Sequence, residues 1–131
     1  MSGPRFCRGY LGQMSATKNV RVARVYDDAG PDDGRRFLVD RIWPRGVRKD
    51  DPRVGTWLKD VAPSKELREW YGHQPELFDE FASRYREELR GNETLRELRR
   101  LSGREIVTLV TATRDVDCSH VAVLARLLRT G

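Results

Sequence analysis

The chain has 131 residues, of which 38% are hydrophobic and 34% are charged, so we expect one domain with an apolar core rather than a chain disordered throughout. Lys and Arg total 25 against 20 Asp and Glu, and the net charge of +5 favours anionic partners, although a merely solvated surface is the alternative. No apolar run approaches the roughly 20 residues that cross a bilayer, no secretory signal stands at the start, and two distant cysteines do not indicate a disulfide framework. These features predict a cytoplasmic protein without a membrane partner.

The start of the chain divides into a leader and a first pair of strands. Residues 1–18 are polar and Gly-rich without a helical or strand period, so we expect a disordered leader, with residues 19–131 forming a single α/β domain. The β-branched stretch Val20–Tyr26 predicts a first strand. The apolar run within Arg36–Ile42 predicts a buried second strand, which ends before Pro44.

The middle of the chain predicts helices. Residues 54–61 fit no clear period, and Ser64 is placed to cap the helix that follows. Helix signals then indicate three segments: Lys65–Tyr71, a longer amphipathic helix opened by Pro75 and ended by Gly91, and Glu93–Leu101.

The end of the chain completes the sheet. Ile106–Thr113 is strongly β-forming and apolar, and Ser119–Leu128 has one apolar helical face. A long helical crossover between the second strand and Ile106–Thr113 suits a parallel pair. We therefore expect an α/β fold with a small, mostly parallel sheet of three to four strands flanked by helices.

Four blocks of this sequence resemble a known family. They are DRIWPRG at 40–46, WLKDVAPSKELR at 57–68, F-x-x-R-Y-x-x-E-L at 81–89 and TLVTATRD at 108–115. In this order, and with His120 before the last helix, they are similar to the YeaO-like family of small bacterial proteins, known as domain of unknown function 488. The resemblance covers roughly residue 20 to the C-terminus. It implies a compact α/β fold but no particular reaction, and similar sequences tend to carry Asn where Ser119 stands.

The segment Asp40–Gly46 is the first candidate for a ligand site. It follows a predicted parallel strand, and ligands bind beyond the carboxyl ends of such strands. Arg41 and Arg45 offer forked donors to phosphate or carboxylate, and Trp43 can stack on a ring. Together with Asp40 they are candidate ligand-binding residues. In the alternative interpretation, Asp40 pairs with one of the arginines and Trp43 is a core anchor.

A second set of candidates surrounds the predicted helix start at Ser64. Free amides and the positive end of the helix dipole can receive an anion at such a position. Lys59, Ser64 and Arg68 are therefore added as candidate ligand-binding residues. Alternatively, Ser64 only caps the helix and Lys59 is solvated. This hypothesis requires Arg68 to meet Arg41 and Arg45 in space.

The loop after the last predicted strand offers a candidate acid–base pair. His120 with a nearby Asp115 is the minimum for proton transfer near neutral pH, so both are candidate catalytic residues. The same topological rule places this loop beside Asp40–Gly46. Alternatively, Asp115 or Asp117 caps the last helix and His120 bonds to backbone. Cys118 is a less favoured nucleophile, because the Cys-x5-Arg spacing of phosphate-binding thiol phosphatases is missing.

The sequence favours a binding function without naming the ligand. It lacks a closed set of zinc ligands, a phosphate loop and a dinucleotide fingerprint, so we expect no metal and no cofactor. The favoured hypothesis is a small-molecule enzyme or binder whose ligand carries a phosphate or carboxylate. A nucleic-acid-binding module and a non-catalytic partner-binding protein are the alternatives. Catalysis and oligomeric state stay open.

Overall fold

A computed structural model describes residues 19–27, 30 and 33–130, and the predicted leader over residues 1–18 lies outside them. The strands in this part of the chain are β1 (Val20–Arg24), β2 (Arg35–Leu38), β3 (Thr56–Trp57) and β4 (Val107–Thr111). The α-helices are α1 (Lys65–Tyr71), α2 (Phe78–Glu88), α3 (Glu93–Ser102) and α4 (His120–Thr130). Short 3₁₀ turns occur at Lys59–Val61, Pro75–Leu77 and Val116–Cys118. None of the described helices is long and apolar enough to cross a bilayer.

The four strands form one parallel sheet in the order β1-β4-β2-β3. The predicted parallel pairing of the second strand with the last strand is confirmed, since Phe37 lies opposite Leu109 and Leu38 opposite Val110. The central strand β4 is buried along its whole length. Its neighbours β1 and β2 therefore shield both of its edges, and the α/β class expected from the sequence is confirmed.

The two faces of the sheet are covered in different ways. Phe37 and Leu109 belong to the larger core cluster, which also contains the buried residues of all four α-helices. Leu38 and Val110 belong to a smaller cluster, which the loop residues Val47 and Val54 close from the other side. The helices therefore lie on one face, and the segment after β2 covers the other face in place of a helix.

Buried tyrosines connect the helices to the loops at the edge of the sheet. The Tyr71 ring in α1 stacks on Phe81 of α2, with the ring centres 4.4 Å apart. Its hydroxyl donates to the Cys118 carbonyl at 2.6 Å, and the hydroxyl of Tyr85 donates to the Val61 carbonyl. Both hydroxyls are satisfied although both residues are buried. These contacts hold α1 and α2 against the turns that border the candidate site.

The strand boundaries differ from the sequence-based prediction. β2 ends at Leu38 rather than Ile42, because the Asp40 side chain takes the Ala112 amide that a longer ladder would have used. The unassigned segment 54–61 contains the short edge strand β3, whose Trp57 indole donates to the Asp40 carbonyl at 2.7 Å. A two-residue strand is too short to show a period in the sequence.

We predict that Gly55→Ala destabilises the fold much more than Gly91→Ala. Both glycines have positive φ, +71° and +74° respectively, so both substitutions carry the backbone strain of about 1–2 kcal/mol expected there. At Gly55 a Cβ would also lie 2.0 Å from the Arg36 carbonyl oxygen, whereas at Gly91 it meets no atom within 4 Å. Urea unfolding of both variants measures the difference, and equal losses of unfolding free energy would contradict the close approach at Gly55.

Candidate functional site

A cavity of about 370 Å³ opens at the carboxyl ends of β2 and β4. Its walls come from the loop after β2, the loop after β4, helices α1 and α2, and the start of α4. Parallel α/β proteins bind ligands at this edge of the sheet, and cavities of a few hundred Å³ are typical of small-molecule sites. This cavity is therefore the candidate ligand site of the protein.

The Asp40 carboxylate joins the two loops that border the cavity. Its Oδ1 accepts a hydrogen bond from the Thr111 hydroxyl at 2.7 Å, and its Oδ2 accepts one from the Ala112 amide at 2.8 Å. The loop after β2 is thereby fastened to the end of β4, as the topological argument from the sequence predicted. The alternative interpretation, in which Asp40 pairs with an arginine, is not what the structure shows.

His120, the first residue of α4, is held by the same carboxylate. Its Nε2 lies 3.1 Å from Asp40 Oδ1 and 3.0 Å from the Val39 carbonyl oxygen. The carbonyl and the carboxylate are both acceptors, so Nε2 carries a proton. The sequence-based pairing of His120 with Asp115 is therefore corrected: the partner is Asp40, and Asp115 is exposed outside the cavity lining.

The surroundings of Asp40 keep it ionised. Burial raises the pKa of its carboxyl, but the hydrogen bond and charge of His120 act against burial, as do the hydrogen bonds from Ala112 and Thr111. The balance holds the pKa below the ordinary 3.8. At neutral pH this site therefore contains a carboxylate that is stabilised in its ionised form by hydrogen bonds from the protein.

Three arginines that the sequence singled out line this cavity: Arg41, Arg45 and Arg68. Arg41 is oriented by a hydrogen bond from its Nε to the Pro63 carbonyl at 2.9 Å. The backbone at Arg45 is anchored by the Tyr26 hydroxyl, which donates to the Arg45 carbonyl at 3.0 Å. None of the ion pairs in the described part of the chain involves these three arginines. The three arginines thus line one cavity, and their joint binding of an anion stays a prediction.

Trp43 forms a fixed wall of the cavity. Its indole N–H donates to the Val47 carbonyl at 2.7 Å, and its ring meets Trp57 edge-on with the centres 5.1 Å apart. The residue packs against the smaller core cluster. Both sequence-based interpretations of Trp43 thus describe its position, since it anchors the core and also borders the cavity.

Two predicted binding residues lie outside the cavity lining, namely Ser64 and Lys59. Ser64 caps α1 by accepting a hydrogen bond from the Leu67 amide at 3.1 Å, and its own hydroxyl and amide donate to the Glu88 carboxylate at 2.5 and 2.9 Å. A carboxylate of the same chain therefore already occupies the helix start. Lys59 instead places its ammonium 4.7 Å from the centre of the Trp57 ring.

The start of α4 is capped by Ser119 rather than by an aspartate. The Ser119 hydroxyl oxygen accepts from the Val121 amide at 3.2 Å, which corrects the alternative that Asp115 or Asp117 caps the helix. Cys118 is buried and absent from the cavity lining, so the cavity offers no support for a cysteine nucleophile.

Sequence reasoning missed several lining residues, among them Tyr26, Tyr71 and His73. Helical spacing marks an apolar face but does not distinguish a core residue from a cavity wall. A signal existed for His73, because it follows the glycine that ends α1 and stands in a loop, where binding residues concentrate. It adopts a positive φ of 58°.

Fold and site together define a small parallel α/β protein with an arginine-lined cavity at the strand ends. A family model described as "Inactive DUF488-N3 subclade" matches residues 19–131. Uncharacterized proteins of Mycobacterium tuberculosis and Mycobacterium bovis are 73% identical over 115 residues, which cover 88% of this chain and 98% of theirs. The uncharacterized protein YeaO of Escherichia coli is 35% identical over 113 residues, covering 86% of this chain and 98% of YeaO. No solved structure gives a significant match.

The chain therefore belongs to the YeaO-like family, domain of unknown function 488. The sequence blocks around Asp40, Trp57, Phe81 and Thr108 predicted this membership, and the comparisons confirm it. The relatives carry no described activity in their names, so the roles of the cavity residues rest on geometry and remain predictions.

We predict that Asp40→Asn lowers the free energy of unfolding at neutral pH by about 2–3 kcal/mol, because a buried, charged acceptor of several hydrogen bonds is lost. The pKa of Asp40 is lower in the folded protein than the ordinary 3.8, so the unfolded chain binds the proton more readily. The stabilisation is therefore complete above about pH 4 and is lost as the pH falls through the folded-state pKa.

Urea unfolding between about pH 7 and pH 3 measures the difference in unfolding free energy between wild type and Asp40→Asn. This difference should become smaller towards pH 3. Asp50→Asn is the matched control, because Asp50 is 82% exposed and its ion pair is long, at 3.7 Å. A difference in unfolding free energy that stays constant down to pH 3 would contradict the proposed role of the Asp40 charge.

Proposed function

We propose that this protein binds a small molecule bearing a phosphate or carboxylate in the cavity beyond β2 and β4, and that it does not transform this molecule. The observation that carries the proposal is the convergence of Arg41, Arg45 and Arg68 on one cavity without a carboxylate partner among the described residues. Elsewhere in the described chain, arginines commonly pair with acids, as Arg84 does with Glu80.

Electrostatics supports an anionic ligand. Like charges around one cavity repel each other, and at an effective dielectric constant of about 20 two unit charges 4 Å apart interact with about 4 kcal/mol. A bound anion replaces this repulsion with attraction, and guanidinium groups match the oxygen spacing of phosphate and carboxylate. Arg41, Arg45 and Arg68 are exposed and Ile42 is 59% exposed, so water and salt screen these charges in part.

Binding without chemistry agrees with the hydroxyl groups of the cavity. A nucleophile needs a base within hydrogen-bond reach. The Ser119 hydroxyl donates to the Val116 carbonyl at 2.7 Å, and a carbonyl is not a base for this purpose. Tyr71 stays protonated, because burial first, and then the charges of Asp115 and Glu76, raise its pKa to about 12. The printed description of the matching family model, "inactive", supports the same proposal.

The alternative of nucleic-acid binding requires a broad basic face. Along the described helices, however, arginines stand close to acids of the same helix. Arg100 lies 3.1 Å from Glu97, and Arg90 lies 3.5 Å from Glu87. Such pairs weaken the field of an extended surface, whereas in the cavity three arginines without an ion-pair partner among the described residues stand against the single acid Asp40. A small anionic ligand is therefore favoured over a nucleic acid.

We predict that Arg68→Ala weakens ligand binding at least about tenfold, as expected when one charge-assisted contact is removed. A thermal-shift screen with nucleotides, sugar phosphates, carboxylic acids and inorganic phosphate identifies the ligand, and calorimetry then measures its affinity. Arg104→Ala is the matched control, because it removes the same charge from an exposed residue before β4, at the opposite edge of the sheet. It should leave the affinity unchanged.

Three results would count against the proposal. The first is a screen in which no compound raises the melting temperature. The second is an equal loss of affinity in Arg68→Ala and Arg104→Ala, which indicates a diffuse charge effect. The third is binding of single-stranded oligonucleotides that falls steeply with salt and does not depend on Arg68, which favours the nucleic-acid hypothesis.

A further inference from the structure

We infer that the cavity prefers an anion that carries its own proton, such as hydrogen phosphate, over a fully deprotonated anion of equal charge, such as sulfate. The selecting atom is Nδ1 of His120, acting as a hydrogen-bond acceptor while the ring is neutral. The inference rests on the proposed function, because it concerns the same cavity and needs the arginines to bind the anion. It goes further by stating the chemistry of the anion.

The tautomer of His120 follows from its two partners. Nε2 lies 3.0 Å from the Val39 carbonyl oxygen and 3.1 Å from Asp40 Oδ1. A carbonyl oxygen can only accept, and the same Asp40 oxygen already accepts from the Thr111 hydroxyl. The proton of a neutral His120 must therefore reside on Nε2, which leaves the lone pair on Nδ1.

Nδ1 is left for a ligand. Among the described residues, the hydrogen bonds of the His120 side chain all use Nε2. The ring borders the cavity, while the side chain as a whole is only 13% exposed. Nδ1 is not among the fully buried polar atoms without a partner in the described part of the chain, so water reaches it in the cavity. A ligand that displaces this water leaves the acceptor unpaired unless it brings a donor of its own, and an unpaired acceptor costs free energy. A ligand O–H placed between the arginines and Nδ1 supplies that donor.

The arginines alone do not distinguish hydrogen phosphate from sulfate. At about pH 8.5, sulfate and hydrogen phosphate are both tetrahedral dianions, so guanidinium groups attract them about equally. Hydrogen phosphate also has one O–H, whereas every sulfate oxygen is an acceptor and would face the Nδ1 lone pair with like polarity. The difference in affinity between the two anions therefore reports the contribution of His120 separately from the charge of the cavity.

The preference depends on pH, because protonation of His120 converts Nδ1 into an N–H donor that sulfate can use. The titratable and charged groups around the ring come from several elements: Asp40, Arg41 and Arg45 after β2, Arg68 and Tyr71 in α1, His73 after α1, and Tyr85 in α2. His73 is the other histidine that lines the cavity, so it needs its own control.

We predict that wild type binds hydrogen phosphate at least about fivefold more tightly than sulfate at about pH 8.5, which is the expected effect of one unpaired acceptor. Sulfate remains a dianion as the pH is lowered, and its affinity should rise at least about fivefold once ¹⁵N spectra show that the His120 ring carries both protons. Calorimetric titration with the potassium salts measures both changes. His120→Ala should lose the phosphate preference and the pH response of sulfate.

His73→Asn tests the other histidine of the cavity, and Asn tolerates the positive φ at this exposed position. Because His73 lines the cavity, this variant is judged by the ratio of the phosphate and sulfate affinities, which should still favour phosphate, and not by either affinity alone. Because His120→Ala also removes a contact to Asp40, its fold is checked by circular dichroism. An independent measurement uses wild type alone: ¹⁵N spectra of the histidine ring at about pH 8.5 should place the proton on Nε2 and shift the Nδ1 signal when phosphate is added.

The outcomes separate the two proposals. If Arg68→Ala weakens both anions but wild type binds them equally at about pH 8.5, the inference on His120 is wrong and the anion-binding function stands. A neutral ring with its proton on Nδ1, or a phosphate preference that survives in His120→Ala, also overturns the inference. If wild type binds neither anion, the inference is rejected, and the ligand screen alone then decides the proposed function.

Discussion

The contacts of the Asp40 carboxylate determine the architecture of the site. β2 and β4 are adjacent parallel strands, so their carboxyl ends already lie about 5 Å apart. One short acid side chain therefore suffices to bridge the loops that leave them, and Asp40 does so through Thr111, Ala112 and His120. The hydrogen-bonding capacity of this carboxylate is used within the protein, so it does not form an ion pair with the arginines that line the same cavity. Three arginines stand against this one acid among the lining residues, which leaves the cavity with a net positive charge.

Local signals in the sequence predicted local structure well. Helix α1 occupies the residues expected, because both of its ends are set by adjacent residues: the Ser64 cap and Gly72 in a left-handed conformation with φ 53°. The end of β2 was placed too late, because the apolar run continues past Leu38 while the partner amide of Ala112 is taken by Asp40. The hydrogen bond between Asp40 and Ala112 connects residues far apart in sequence, so no local pattern could show it.

The difference between local signals and contacts of distant residues also explains which site residues the sequence predicted. The rule on strand ends placed the Asp40–Gly46 segment beside the loop after β4, and both border one cavity. Arg68 of α1 lines the same cavity, which the sequence analysis stated only as a condition. Proximity in sequence paired His120 with Asp115, although the sheet brings Asp40 closer. Ser64 has the local properties of an anion site, but its amide and hydroxyl already donate to the Glu88 carboxylate of another helix. A contact between residues so far apart in sequence is seen only in the folded structure.

The Asp40–His120 pair has a structural role of its own. Asp40 holds Nε2 of His120 and, through Thr111 and Ala112, joins the loops that follow β2 and β4. In a catalytic triad the acid likewise holds one ring nitrogen, and the other ring nitrogen faces a nucleophile. The Ser119 hydroxyl beside this pair is bonded to the Val116 carbonyl and to the amide of Val121 at the helix start. Contacts within the protein therefore account for the pair, and an acid–histidine pair by itself is not a signature of catalysis.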